Sequence, residues 1–505
     1  MQLPPGRFER WAERVVAAIR AEPAAELAGF LEPPARARRR RGPALALYAA
    51  LDRLAFPAAG DPLGEAPRPA ATALGLLGTV DVVLALAPAV ARPLPLEPRA
   101  DAWVVRSGGL AEMLAGESAV VTSLEQVAGD AGGAAVLAQA WTAVDPLSLN
   151  RTRASAVRKV PHLVRTALVR MARDGAAAHD APATPAPASA RARTLPGHLA
   201  RAAAGVLLRR VQERVFDRRW HVLFRRRRSG GARGVPDPAA AGWRPLAAPR
   251  DRFWADPFVV ERGGRHWLFM EEYSYRRGRA AIACVELTEQ GPRGAPEVVF
   301  APDHHVSYPF VFEHAGAMLM LPETLEAGGI RLYRARDFPR DWRLERVLVP
   351  DVRASDPTLV RHDGRLWLFA ALQRPHERFA DELCVWWADD LAGPWTPHPL
   401  NPVLCDVRSA RPAGALFRSG DWLVRPGQDS SRGYGHAVSL KRVELLSEAD
   451  YREREVGRVE PGAAKGMLAI HSLNADDAFE VIDANRRRLK RPRRRPAGVR
   501  ARGGG

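Results

Sequence analysis

Apolar residues in the second half of this chain fall in short runs broken by turn residues, and the runs come in a repeating order. A segment built on Ala255-Asp256-Pro257-Phe258 returns as Ser307-Tyr308-Pro309-Phe310, Ser355-Asp356-Pro357-Thr358 and Ala410-Arg411-Pro412-Ala413. The copies stand roughly 50 residues apart, a period at which whole supersecondary units repeat. Each continues in apolar residues, turns at Gly263-Gly264, Gly316, Gly364 or Gly420, and resumes in a second run such as His266-Trp267-Leu268-Phe269 or Leu366-Trp367-Leu368-Phe369. That pattern predicts a strand, a hairpin and a second strand. A third β-rich run follows in the first three copies, at residues 282–287, 330–335 and 383–387, so one unit is a small antiparallel sheet.

Small sheets recurring at one period suit blades around a central axis, because radial repetition leaves only short edges to protect. The expected fold is an all-β five-bladed β-propeller over residues 216–485. Four blades carry the proline anchor. The fifth is expected to combine residues 469–473 and 479–482 with an N-terminal strand near Trp220 to Phe224, which closes the ring. A β-sandwich with coincidental spacing is the alternative, since strands at intervals of about 8–12 residues fit that class too.

Upstream the pattern changes. Phe8, Trp11, Val15 and Ile19 share one helical face. Residues 76–87 and 102–105 read as strands, residues 124–138 as a small-residue, Gly-rich stretch, and residues 157–172 as a helix, which together predict a mixed α/β domain over 1–178. The Pro/Ala run at 181–188 opens a linker that, with a helix at 197–215, spans 179–215.

The formal charge of +18 suggests nucleic acid until it is located. The tail from Arg486 onward holds basic residues and no acids, and supplies more than half of the excess. Residues 486–505 are therefore expected to be a disordered basic tail, with shorter basic runs at 36–41 and 225–228. Such tails make weak contacts with anionic surfaces. No aromatic platform is interleaved with them, so no specific nucleic-acid partner is expected. Cys284, Cys384 and Cys405 form no metal-ligand spacing and read as buried strand residues. No cofactor and no metal are called, and His304-His305 and His376 read as loop residues. Charges at Arg7, Glu9 and Arg10 precede any apolar core, and the greasy stretch 73–96 is interrupted by Asp81 and Arg92, so neither a signal peptide nor a transmembrane segment is expected and the location expected is cytoplasmic.

Antiparallel geometry turns the repeat into a site. If the Asp-Pro segment opens the innermost strand of a blade, its first residue lies at one axial mouth, and the next strand ends at that same mouth. Asp256, Tyr308, Asp356 and Arg411 hold the first place. Glu271-Glu272, Glu323, Ala371 and the stretch Arg425-Pro426-Gly427-Gln428-Asp429 hold the second. Clustered carboxylates cannot all ionise freely, because like charges and burial raise some pKa values while a nearby arginine lowers others. That separation is what acid/base or nucleophilic work on a glycosidic bond needs. Asp256, Glu323 and Asp356 are the catalytic candidates, with Asp256 as base or nucleophile and either of the others as proton donor. Trp254, Tyr273, Tyr308 and Tyr434 offer faces for sugar rings. Arg411, Arg425 and His436 offer donors to a phosphate or carboxylate, with Glu271, Glu272 and Asp429 as further contacts. Each Asp-Pro can equally be a capped turn.

Phe253-Trp254-Ala255-Asp256-Pro257-Phe258, Leu321-Pro322-Glu323-Thr324, Gly393-Pro394-Trp395, Ala410-Arg411-Pro412-Ala413-Gly414 and Arg425-Pro426-Gly427-Gln428-Asp429 resemble the propeller of the glucosamine inositolphosphorylceramide transferase N-terminal family. The resemblance covers about half of the chain and implies a glycan- or glycolipid-related function with a carbohydrate or glycolipid ligand. In the plant members sugar transfer is attributed to a separate C-terminal glycosyltransferase domain. Bacterial relatives carry the propeller alone or behind a formyltransferase-like region. The propeller is also similar to five-bladed glycoside hydrolases, whose axial acids begin with an Asp in the first blade. Asp256 matches that place, whereas Tyr308 stands where those hydrolases usually have a second Asp. The order of residues 81–91, Ala102-Trp103-Val104-Val105 and Asn150-Arg151 resembles a formyltransferase, with Arg106-Ser107-Gly108-Gly109 where a His-Gly-Asp type sequence belongs, which implies a degenerate domain. Three functions stay open: a propeller that processes a sugar by glycosyl transfer or hydrolysis, a non-catalytic carbohydrate-binding scaffold, and formyl transfer to an amino sugar.

Overall fold

The computed structural model describes residues 10–23, 25–27, 43–55, 62–63, 66, 82–86, 101–127, 134–175, 194–227, 242–375, 377–461 and 467–489. Phe8, the basic run 36–41, the Pro/Ala run 181–188, His376 and the tail from 490 lie outside these residues.

The propeller is made of five separate sheets, of which four follow one another along the chain and the fifth joins its two ends. The first joins Arg252–Arg262, Arg265–Ser274, Arg279–Thr288 and Gly291–Phe300; the second joins Ser307–His314, Ala317–Glu323, Ile330–Ala335 and Trp342–Val349. Ala354–His362, Arg365–Leu372 and Glu382–Ala388 carry the third, and Trp422–Asp429, Ala437–Leu446 and Tyr451–Val459 carry the fourth. In the fifth, Phe479–Leu489 lies between the short strands Met467–Ala469 and Leu473–Ala475 on one side and the early strand Phe216–Arg226 on the other. The first hairpin reverses at Gly263-Gly264, both at positive φ (61° and 73°), the backbone a tight two-residue turn between right-twisted strands demands.

Alternating side chains fill the seams between sheets. Phe269 and Cys284 meet Met320 and Trp342 between the first and second sheets, and Leu321 and Leu332 meet Leu368 and Trp386 between the second and third. Trp367 and Phe369 meet Leu423 and Tyr451 in the next seam, and Val424 and Leu440 meet Leu473 and Ile482 in the fourth. The last seam, Val222 and Val481 against Leu268 and Met270, returns to the first sheet. Each large apolar side chain so buried is worth roughly 1.5–3 kcal/mol, so the ring is held by its radial seams rather than by one central core.

Two boundaries differ from the sequence reading. The last strand continues to Leu489, with Leu489 opposite Phe216, so Arg486 belongs to the sheet and not to a basic tail. The backbone pairing with Phe216–Arg226 carries the strand into the arginine run, which local composition alone does not reveal. Residues 124–138, read as a small-residue, Gly-rich stretch, take in the end of one strand, Ala119–Val127, and the first half of its partner, Ala134–Ala143.

The first domain is a four-stranded sheet in which Val82–Ala85 runs parallel to Asp101–Ser107 and the remaining pairs are antiparallel. Helices Arg10–Ala21 and Val160–Asp174 cover it, burying Trp11, Val15, Ile19, Leu163 and Val164 against Trp103, Leu124 and Leu137. This domain docks on the third and fourth sheets. Lys159, buried between its two last helices, bonds Asp381 at 2.6 Å and Glu382 at 2.9 Å. Arg170 and Arg173 reach Asp450, and the Val407 N–H donates to the Trp141 carbonyl at 3.0 Å.

Candidate functional site

Three of the four proline-anchored segments make the same bend. Asp256, Tyr308 and Asp356 have φ of 49°, 47° and 54°, and each first strand slips register there, between Ala255 and Phe258, Ser307 and Phe310, and Ser355 and Thr358. A bulge of this kind re-aims one side chain out of the pleat. Asp tolerates the left-handed region; a bulky residue such as Tyr308 is a genuine outlier there.

The bulges converge on one buried cluster. Asp256 Oδ1 lies 2.6 Å from His471 Nε2, and its Oδ2 accepts the Tyr308 N–H at 3.1 Å. The other face of His471 meets Asp483, with Nδ1 at 2.7 Å from Oδ2, an approach too poorly aligned to be a hydrogen bond. Asp483 also accepts the backbone N–H groups of Asp256, His471 and Ser472 at 3.0, 3.1 and 2.9 Å. Beside this relay, Arg411 clamps Asp356 through Nε at 2.5 Å and Nη2 at 3.2 Å and reaches Glu323 at 3.3 Å. Tyr434, half exposed, lies under the Arg411 guanidinium at 5.2 Å and edge-on to Trp220, which packs on His471 at 4.3 Å.

The electrostatics follow from crowding. Burial alone would push His471 down, but Asp483 and Asp256 outweigh it and hold the imidazole well above its ordinary pKa. Burial would push Asp256 up, and His471 with Arg411 reverses this, so its carboxylate stays ionised. Glu271 goes the other way: burial, reinforced by Asp256 and Glu323, outweighs the pull of His471 and holds it well above the carboxylate range. Its Oε1 lies 3.7 Å from His305 Nε2. Burial also pushes Asp356 up against the pull of Arg411, and both its oxygens are engaged by that guanidinium.

Asp256, Glu271, Glu323, Asp356 and Arg411 thus come together. Tyr434 joins them, and the other sequence candidates take different places. Trp254 is core, packed with Leu268 and Val481, and offers no sugar platform. Glu272 alternates away from Glu271 and is held by Arg252 at 3.2 Å and Arg277 at 2.7 Å. Tyr308 is a strut rather than a face: its hydroxyl accepts the Gly414 N–H at 2.7 Å and pairs with Thr358 at 3.0 Å. Arg425 is sealed in its own sheet, bonded to Glu453 at 2.7 and 2.8 Å, because the strand residue facing Arg411 is Gln428. Asp429 binds Arg458 at 2.5 Å, and His436 meets Asp429 through its backbone. None of these three contacts the relay in the bonds described.

His471, Asp483 and Trp220 escaped the sequence reading. The fifth sheet has no proline anchor to mark the equivalent place, yet His471 lies within the expected run 469–473 and Asp483 directly follows 479–482. Among the described residues, Asp256, His471 and Asp483 have ligand atoms within 4.8 Å of one another. They could hold a cation only after His471 gave up its proton; as they stand, they form a carboxylate–imidazolium–carboxylate relay.

Residues 235–477 match the family model described as glucosamine inositolphosphorylceramide transferase 1, N-terminal. Proteins named glucosamine inositolphosphorylceramide transferase 1 are similar over this region: that of Oryza sativa subsp. japonica is 37% identical over 237 residues, and that of Arabidopsis thaliana 34% over 251. Each alignment takes in 46% of this chain but only 31% and 32% of the relatives, so the chain spans about a third of their length. Among solved structures, a family 117 glycoside hydrolase of Zobellia galactanivorans shares 13% identity at a TM-score of 0.33, covering 52% of this chain and 90% of its own. An exo-β-1,3-galactanase of Phanerochaete chrysosporium shares 15% at 0.33, covering 43% and 53%.

Proposed function

We propose that this is a glycan- or glycolipid-directed protein whose five sheets are the blades of one propeller, with a sugar bound at the axial cluster. The observation that carries the reading is the meeting of Asp256, Glu271, Glu323, Asp356 and Arg411, drawn from four sheets, around the His471 relay. Carboxylates and an arginine converging beside the faces of Tyr434 and Trp220 suit a polyhydroxylated ring, which needs fixed acceptors for its hydroxyls and an apolar wall for its C–H face. The family matched over residues 235–477 supports a saccharide or an inositol phosphate headgroup as the ligand class.

In the processing version Asp256 is the base or nucleophile. Glu271, kept protonated by burial and by Asp256, is the donor. Asp356 is the poorer donor, because Arg411 occupies both of its oxygens. One observation favours a second reading, a non-catalytic carbohydrate-binding module: both Asp256 oxygens are already engaged. The first domain is read as degenerate. Arg106 pairs with Glu125 at 2.5 Å, and the Gly109 N–H is taken by Glu112 at 2.6 Å, so two groups of the segment read as the degenerate motif are already engaged within the domain.

Calorimetric titration of the full chain with amino sugars, neutral sugars and inositol phosphates tests the site. Glu323→Gln, which alters the less buried rim, is expected to weaken saturable binding about ten-fold, or ~1.4 kcal/mol. Binding to none of these ligands, or equal binding by the variant, ends the proposal. Release of product from a nucleotide sugar or aryl glycoside, lost in Glu271→Gln, selects the enzyme over the module.

A further inference from the structure

The helix Leu195–Val215 leaves the first domain and runs without a break into the propeller strand Phe216–Arg226. Its first turn is tied down. Thr194 caps it, His198 Nε2 lies 2.8 Å from the Pro146 carbonyl, and Leu195 and Leu199 pack on the domain. Farther along, Leu207, Leu208, Val211 and Val215 are 65%, 58%, 49% and 42% exposed. At about 100° per residue, Leu207, Val211 and Val215 fall within an arc of roughly 80° and Leu208 extends it to roughly 100°. Arg210 and Arg214 flank that arc on one side and Arg201 on the other, all exposed.

An apolar stripe of this size is a liability in water. Over residues 206–215 the stripe is bordered by arginines whose stems can lie along it while their heads stay wet, an arrangement that suits this half of the helix to a membrane interface. The helix carries four arginines and one glutamate, and no helix among the described residues is long and apolar enough to cross a bilayer, so lying on the surface is the fitting mode. Its far end leads toward the axial cluster. Trp220, which packs on His471, follows Val215 by five strand residues, roughly 17 Å of chain. Between them, Arg219 lies over the exposed ring of Tyr275 at 5.2 Å.

We propose that this stripe is a docking face for an anionic lipid bilayer, with Leu207, Leu208, Val211 and Val215 in the headgroup layer and Arg201, Arg210 and Arg214 on lipid phosphates. The docking stands independently of the sugar reading. Its consequence, that the axial mouth is held near glycolipid headgroups, rests on that reading.

The test is co-sedimentation of the full chain with vesicles of phosphatidylcholine alone and of phosphatidylcholine mixed with phosphatidylserine. The expected result is partitioning at least about ten-fold stronger onto the anionic vesicles. It should fall about ten-fold in Leu208→Ser/Val211→Ser and again in Arg210→Glu/Arg214→Glu, with thermal midpoints unchanged because all four side chains are exposed. Wild-type partitioning by the serine variant would assign binding to the basic tail and overturn the proposal. So would absence of vesicle binding together with a dimer, seen by light scattering, that the serine variant dissociates, because a second copy would then cover the stripe. Failure of sugar titration leaves this result untouched, so the two proposals fail separately.

Discussion

Asp483→Asn is the sharpest probe of the relay. The side chain is fully buried and receives three backbone N–H groups at 2.9 to 3.1 Å beside His471. Asparagine keeps the shape but removes the charge that does most to raise the His471 pKa, and its amide can present N–H where only donors stand. Removing one partner of a buried ion pair costs about 3–5 kcal/mol. The relay retains Asp256 as a second anion, so the lower half of that range is expected. The sign with pH is fixed. A histidine raised in the folded state contributes stability fully present below its ordinary pKa of about 6.5, and this is lost as pH rises through the folded value. Urea unfolding of wild type should therefore weaken from about pH 6.5 upward, and in Asp483→Asn, whose folded His471 value is lower, the weakening should be smaller and end at lower pH. The assay is urea unfolding from pH 5 to 9 paired with NMR titration of the His471 ring. A loss under about 1 kcal/mol with an unshifted His471 titration would refute the relay as a source of stability.

Lys159→Met leaves Asp381 and Glu382 buried without their shared cation, and should cost about 3–5 kcal/mol and loosen the first domain, read as faster hydrogen exchange in Val160–Asp174 with little change in the first sheet. Glu377, pushed up from 4.5 to about 7 chiefly by burial, contributes stability that is present below pH 4.5 and lost as pH rises through about 7; Glu377→Gln should remove about 1–3 kcal/mol of that loss, read as a flatter thermal midpoint between pH 5 and 8.

Much of the ring is legible in the sequence because its hairpins repeat the same chemistry: a Pro-anchored bulge, an apolar run, a glycine turn and a second run. Asp256, Glu271, Glu323, Asp356 and Arg411 could be placed together because antiparallel strands return to the mouth they left. His471 and Asp483 could not, since the fifth sheet is assembled from both ends of the domain and lacks the proline that marks the others. Arg425 and Glu272 misled for a different reason. Glu272 stands next to Glu271 in sequence, but alternation turns neighbours to opposite faces; Arg425 lies three residues before Gln428, which faces Arg411, and pairs with Glu453 instead.

Tyr308 shows what the repeat can and cannot be made to do. Asp256, Tyr308 and Asp356 all precede proline, which disfavours compact backbone, and all lie at positive φ, each costing of order 1–3 kcal/mol. Three sheets accept the same strain because the bend aims a side chain down the axis. In the first and third sheets the aimed group is a carboxylate. In the second it is a phenol long enough to cross to Gly414 of the fourth sheet and Thr358 of the third. One slot cannot hold both a strut and an acid, so the second sheet has exchanged an axial charge for a brace. Tyr308→Asp should then restore no activity. Its carboxylate is too short to take the Gly414 N–H, leaving a buried donor unpaired at about 1–3 kcal/mol, and it adds a like charge between Asp256 and Asp356. The expected outcome is a thermal midpoint lowered by several degrees and unchanged turnover of aryl glycosides; wild-type stability with new hydrolysis would show that the tyrosine is a dispensable replacement and not a brace.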